Sequence, residues 1–266
     1  MPLSRLHVNG LNLNVLAQGQ GRPLVMLHGL AGNLTEMQRE IDFFSASYQV
    51  VAIDARGHGR SDKPQSYTLQ DHVNDVLGVM DQLSLGSVFL MGTSMGSYVA
   101  QGVAIAQPQR VKKLVLIVSK PSGKTSSTAR FLAEHEDEVR GLSPEEVRAF
   151  VFDHLFAPTT PPEVRAGVAA LAQQQAEAGL TLTPEENLAA QGALEGFDFR
   201  PDLPKVTAET LVISGRHDPL NPPRSGEEIA SLIPNTTFVV LERSGHAPTV
   251  EEPQRLLTLI EDFLRS

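Results

Sequence analysis

The 266-residue chain has no cysteine and no tryptophan. Without cysteine there can be no disulfide, no thiolate zinc site and no cysteine nucleophile. Positive charge is also short. The 22 Lys and Arg against 31 Asp and Glu leave a net charge of −9. A nucleic-acid scaffold would instead show a basic face or stripe. Long apolar runs are missing too: none exceeds five residues, far below the ~20 that a membrane-spanning helix needs. The opening stretch MPLSRLHVNGLNLNV lacks the apolar core of a signal peptide. A soluble, cytoplasmic chain is expected. Its 41% hydrophobic and 20% charged residues argue against disorder. The length fits one large α/β domain with an insertion, or two modest domains in series.

Leu11, Leu13 and Val15 alternate with Asn12 and Asn14, the period-two mark of a half-exposed strand. The runs Leu24–Leu27, Val50–Ile53, Val88–Met91 and Leu114–Val118 are continuous, short and rich in Val, Leu and Ile. Parallel strands covered by helices on both faces read this way. Helical patterns lie between them near Leu34–Phe44, Leu69–Leu83 and Met95–Ala106. The alternation predicts a mostly parallel sheet with helices on both sides. It breaks after Ser119. From there to about Lys205 no convincing strand is found, and about four helices are predicted, one around Phe131–Val139. Three of their starts, at Ser143, Thr160 and Thr183, share one chemistry: a hydroxyl N-cap, a following Pro and a Glu three residues on. Gly141 and Gly179 fall where C-terminal caps belong. Strands resume at Leu211–Ser214 and Thr237–Leu241, and a helix near Pro253–Leu264 closes the chain. The economical division is a sheet domain, 1–118 and 206–266, with a helical insertion at 119–205. Two independent domains are the alternative.

Gly92-Thr93-Ser94-Met95-Gly96 is a G-x-S-x-G between a predicted strand and a predicted helix. That setting holds a serine on a tight turn with its hydroxyl exposed, and the flanking glycines avoid the neighbouring strand and helix. A serine hydroxyl is inert at neutral pH without a base beside it. Among eight histidines, His246 stands out in the loop Arg243–Pro248 directly after the last strand, since strand-end loops carry chemistry in open α/β sheets. His72, His135 and His154 fall in helical patterns, where packed or solvated roles are the expectation. The base needs an acid to fix its tautomer. Asp218 follows another strand, 124 residues after Ser94 and 28 before His246. Asp54 ranks second because it precedes the serine in a turn-rich segment, and Asp202 is a further rival.

With His28-Gly29-Leu30 after a strand and the segment Asp54–Asp62, these landmarks make the chain resemble the α/β-hydrolase superfamily. The likeness is to its esterase, lactonase and C–C hydrolase-like members with a helical cap, and it covers residues 4–118 and 206–266. It implies an eight-stranded, mostly parallel sheet and a Ser94–His246–Asp218 triad. It also implies an oxyanion hole from the backbone amides of Leu30 and Met95, with His28 and Asp54 shaping turns. The expected substrate is a small-molecule ester, with a lactone or a C–C bond as alternatives. A slow-turnover ligand receptor is the non-enzymatic alternative, because site geometry outlives changes of role. Two departures stand out: Ser97 stands where relatives often have a second Gly, and Ala247 where C–C hydrolases usually carry Trp, which lowers the C–C reading. Substrate selection is expected from the insertion, with Phe131, Leu132, Phe150, Phe152 and Phe156 as candidates to line its roof.

No cofactor or metal is implied. There is no P-loop motif, and Gly57-His58-Gly59 lacks the third glycine of a dinucleotide fingerprint, Asp62 standing there. No His/Asp/Glu cluster has a familiar zinc spacing. Oligomeric state is not legible.

Overall fold

The computed structural model describes residues 3–266. A hairpin of β1 (Ser4–Val8) and β2 (Leu11–Gln18) opens the chain. It is followed by β3 (Pro23–Leu27), α1 (Gln38–Phe44), β4 (Gln49–Ile53), α2 (Leu69–Gln82), β5 (Val88–Thr93), α3 (Met95–Ala106) and β6 (Val111–Ile117). A short β7 (Ser122–Gly123) then leads into α4 (Ser127–Glu134), α5 (Glu136–Val139), α6 (Pro144–His154), α7 (Pro162–Glu177) and α8 (Pro184–Gly192). The chain returns through β8 (Phe197–Asp198), β9 (Glu209–Gly215), α9 (Pro223–Leu232), β10 (Thr236–Leu241), α10 (Pro248–Glu251) and α11 (Pro253–Arg265). The main sheet runs β1-β2-β4-β3-β5-β6-β9-β10 and is parallel except where β2 meets β1 and β4.

The central strands are apolar throughout because both faces are covered. Val25, Leu90, Leu114 and Val212 pack toward Val73, Val99 and Ile229 of α2, α3 and α9. Their neighbours Leu24, Phe89, Val115 and Ile213 join Ile41 and Phe44 of α1 and the α11 stripe Leu256, Leu257, Ile260 and Leu264. The side-chain period of two sends successive residues into these two cores. Helix α9, β1 and α10 escaped the sequence reading. The first two are short and half-exposed, and α10 is a single turn.

β6 and β9 are hydrogen-bonded neighbours, Leu114 opposite Thr210 and Ile117 opposite Ile213. Both halves of the chain therefore build one sheet, and α4–α8 form an excursion between adjacent strands. Contrary to the strand-free expectation for 119–205, β7 pairs with β8 at the neck of that excursion. Two-residue strands leave no periodicity to read. Ser143 and Thr183 form the expected capping boxes, each hydroxyl accepting from the Glu amide three residues on. Thr160 does not. Helix α7 starts one residue later than expected, behind Pro161, and the Thr160 hydroxyl donates instead to Glu251 Oε1 at 2.6 Å.

Among the described residues no helix is long and apolar enough to cross a membrane, and no group of three His, Cys, Asp or Glu is placed to hold a metal ion.

Candidate active site

Ser94 sits between β5 and α3 with φ 50° and ψ −116°, a strained conformation for a residue with a Cβ. Two features hold it there. The Ser94 amide donates to Ile117 O at 2.9 Å on the neighbouring strand. The turn is also too tight for side chains on either flank: a Cβ on Gly92 would lie 2.2 Å from Gly96 O, and one on Gly96 would lie 2.4 Å from Leu27 O. The strained turn lifts the hydroxyl off the sheet.

Ser94, Asp218 and His246 follow the C-terminal ends of β5, β9 and β10, the edge where open parallel sheets place their ligands. The structure brings all three together. Ser94 Oγ lies 3.0 Å from His246 Nε2, and His246 Nδ1 lies 2.8 Å from Asp218 Oδ2. The Asp218 carboxylate is buried, and its other oxygen accepts the amides of Leu220 and Asn221 at 2.8 and 2.9 Å. With Oδ1 so occupied, Oδ2 faces the imidazole. That contact places the proton on Nδ1 and leaves Nε2 free to accept from the serine.

Asp54 and Asp202 are not part of this group. The Asp54 carboxylate accepts from the amides of Leu34 and Arg60 and from Asn14 Nδ2, holding the turns that follow β4. Asp202 is paired with Lys205 at the surface. His28 is buried and its Nδ1 donates to Gly29 O at 2.7 Å, while Nε2 accepts the Ala55 amide at 3.0 Å. Burial lowers its pKa. A neutral His28 with both nitrogens occupied fixes the Gly29–Leu30 loop and has no free lone pair for proton transfer. The Leu30 amide has no acceptor among the described residues, and Met95, as the first residue of α3, has no intrahelical one.

A cavity of about 560 Å³ opens on Ser94 and His246. The excursion supplies much of its wall, but not through the expected phenylalanines. Arg148 and Val151 of α6, Leu155 just after it, and Leu171, Ala172 and Gln175 of α7 line it, whereas Phe131, Leu132, Phe150, Phe152 and Phe156 do not. The correction follows from helical spacing. Residues three and four apart share a face, so Phe150 and His154 point together at Phe131, with ring centroids 5.8 and 5.4 Å away. Phe156 packs edge-on against Phe152 at 5.1 Å. These rings pack on one another within the excursion, Phe131 and Phe156 buried and Phe150 and Phe152 half-buried.

Sequence reading missed several residues here. Glu251, five past His246, accepts the amides of Gly245 and Ala247 through Oε2, at 2.7 and 3.3 Å. Its Oε1 accepts the Ala157 amide at 2.7 Å together with the Thr160 hydroxyl. The His246 amide donates to Leu155 O at 2.6 Å. The histidine loop is thus clasped to the segment leaving α6. Tyr98, whose hydroxyl burial pushes up to about 12, takes a hydrogen bond from Asn221 Nδ2 at 2.7 Å. Lys120, just past the end of β6, lines the cavity. Its position at a strand's C-terminal end was the available signal.

Residues 22–253 match the model of the alpha/beta hydrolase fold family. The chain is 30% identical over 259 residues to 3-oxoadipate enol-lactonase 2 of Acinetobacter baylyi, covering 96% of this chain and 93% of that one. It is 30% identical over 265 residues to 2-hydroxymuconate semialdehyde hydrolase of Pseudomonas putida, covering 96% and 91%. Among solved structures, the enol-lactonase of Burkholderia xenovorans LB400 superposes with a TM-score of 0.83 at 25% identity over the full length of both chains. Together with the sheet order and the strained serine turn, this places the chain in the alpha/beta hydrolase family.

Proposed function

We propose that this protein is a serine hydrolase that cleaves carboxylic esters of small to medium molecules, with residues 1–118 and 206–266 as its catalytic core and 119–205 as a cap over the site. The observation that carries the reading is the hydrogen-bonded chain Ser94 Oγ to His246 Nε2 and His246 Nδ1 to Asp218 Oδ2, at 3.0 and 2.8 Å, opening on a cavity.

In this mechanism Ser94 Oγ attacks the ester carbonyl as its proton passes to His246 Nε2. The resulting imidazolium is stabilised by Asp218, whose carboxylate the two backbone amides keep oriented. The carbonyl oxygen, now an oxyanion, is received by the amides of Leu30 and Met95. Such donors contribute about 3 kcal/mol each where charge develops. His246 then gives its proton to the departing alcohol, and water repeats the sequence on the acyl-enzyme. A lactone presents the same carbonyl in a ring. The 30% identity to an enol-lactonase makes it the second substrate reading. Ala247, where C–C hydrolases usually carry Trp, weighs against a C–C bond.

The test is turnover of a panel of p-nitrophenyl esters and lactones with Ser94→Ala alongside. The variant should fold normally and lose about 10⁶ in rate, and a serine-directed phosphonate should label Ser94 alone. Retained activity, or labelling elsewhere, refutes the assignment. Stoichiometric release with no steady-state turnover would point to a ligand receptor instead.

A further inference from the structure

Two lysines of this chain are buried, and they differ. Lys113 Nζ is fully engaged, meeting Glu209 Oε2, Phe263 O and Ser266 Oγ at 2.8–2.9 Å. Lys120 is 8% exposed, has no carboxylate within ion-pair distance among the described residues, and makes one 3.5 Å contact with Thr125 O. Its ammonium rests over the rings of Tyr98 and Phe197, 5.5 and 5.7 Å from their centroids. A cation taken out of water without an anion is costly. It is tolerated here in the wall between the cavity that opens on Ser94 and a neighbouring cavity of about 530 Å³ lined also by Lys124, Arg130, Arg224 and Glu228.

A second feature points at the same space. Helix α4 begins at that wall, where Ser126, Ser127 and Thr128 line the cavity. Ser126 Oγ accepts the Ala129 amide at 3.1 Å, while the Ser127 and Thr128 amides, in the first turn, have no intrahelical acceptor. Free amides at a helix N-terminus favour an anion. The one carboxylate among the lining residues, Glu36, is pushed up to about 7 by its enclosed position, so about half of it is charged at pH 7, and Arg148 lines the same cavity.

We infer that the ester substrate carries a free carboxylate on its acyl half, received by Lys120 Nζ and the first turn of α4. This rests on the serine-hydrolase reading. Lys120 is nearly enclosed, and a carboxylate on the acyl half would stay bound there while the alcohol departs. The acyl-enzyme would then be anchored at both ends until water arrives. Lysine suits the role as a compact point charge that needs no fixed fork geometry.

The experiment compares kcat/KM for the monomethyl half-esters of succinate, glutarate and adipate with that for their dimethyl esters, in wild type, Lys120→Met and Ser94→Ala. In wild type the best half-ester should exceed its diester about tenfold to a hundredfold, the range set by one charge-assisted hydrogen bond. Lys120→Met should reduce that ratio about tenfold or more, chiefly through KM. Free dicarboxylate of the preferred length should inhibit wild-type diester hydrolysis competitively, which tests the site even if the variant fails to fold. A wild-type ratio at or below one for every chain length overturns the inference, as does a ratio unchanged in Lys120→Met or an absence of competitive inhibition. Diester hydrolysis that survives Ser94→Ala overturns the serine-hydrolase reading instead, so the two failures are distinguishable.

Discussion

A cation held without a partner should weaken the fold that holds it, and Lys120 allows that weakness to be measured. Burial lowers its pKa from 10.5 to about 8, which corresponds to roughly 3 kcal/mol of disfavour toward the charged form. The native chain gives up this proton near pH 8, while the unfolded chain keeps it to about 10.5. Between those values the unfolded state binds more protons, so stability rises with pH. Below pH 8 both states are charged, and the full penalty is present at pH 7. Lys120→Met removes it and keeps a flexible apolar chain over Tyr98 and Phe197. Against the gain stand two lost cation–π contacts, about 0.5–1 kcal/mol each. The expected net effect is a variant about 1–2 kcal/mol more stable at pH 7, its advantage shrinking toward zero by pH 10. Urea unfolding of both proteins at pH 7, 8.5 and 10, with equal m-values, gives the comparison directly. A variant clearly less stable at pH 7, or a difference independent of pH, would refute the reasoning. It would mean that the protein's own groups already satisfy Lys120.

Asp218→Asn should keep its Oδ1 contacts to Leu220 and Asn221 but turn an NH2 toward His246 Nδ1. That favours the wrong tautomer, and kcat should fall about 10⁴-fold with the urea midpoint little changed. Asp54→Asn should do the reverse, losing stability with a smaller change in kcat, because its oxygens hold turns. Glu251→Gln sets an NH2 against two donors, either on the histidine loop or on the segment after α6. A stability loss of about 2 kcal/mol is expected, with kcat down about tenfold and KM nearly constant in ester kinetics. His58 is fully buried, and burial lowers its pKa to about 3. The unfolded state protonates near 6.5 and the native state does not, so stability present above pH 6.5 should drain away on acidification. The loss is up to about 1.4 kcal/mol per pH unit, and His58→Gln should flatten that part of a melting-temperature profile.

The parts legible in the sequence were those where one local requirement selects residues over a short stretch. The doubly covered strands announced themselves as unbroken apolar runs such as Leu114–Val118. Ser94 was marked by a turn so tight that only glycine fits at 92 and 96. Ser143 and Thr183 were legible because a capping box is complete within four residues. Thr160 had the same local pattern and behaved differently, because Glu251, 91 positions away, competes for its hydroxyl. The phenylalanines misled for a related reason. Periodicity shows that α6 has apolar faces, but which face meets Phe131 and which meets the cavity depends on where α4 and α7 pack. Lys120 offered only its place just past a strand end, and Glu251 offered nothing, because their meaning lies in what surrounds them and a residue type in a sequence carries no record of its burial.

The clasp at Glu251 bears on how the two parts of the molecule divide their work. Were the excursion only a lid, its contacts with the sheet domain could loosen without consequence for the chemistry. Here the His246 amide donates to Leu155 O, and Leu155 is also part of the cavity wall. Through Glu251 one carboxylate joins the amides on either side of His246 to Ala157 and Thr160. A bulky substrate that pushes α6 outward therefore pulls on the loop that sets the 3.0 Å approach of Nε2 to Ser94 Oγ. Misplacing a catalytic group by about 1 Å can cost on the order of a hundredfold in rate. Substrates too large for the cavity should accordingly lose kcat as well as affinity. A kcat that stays constant while KM alone rises along a series of lengthening esters would show that the clasp yields without moving His246.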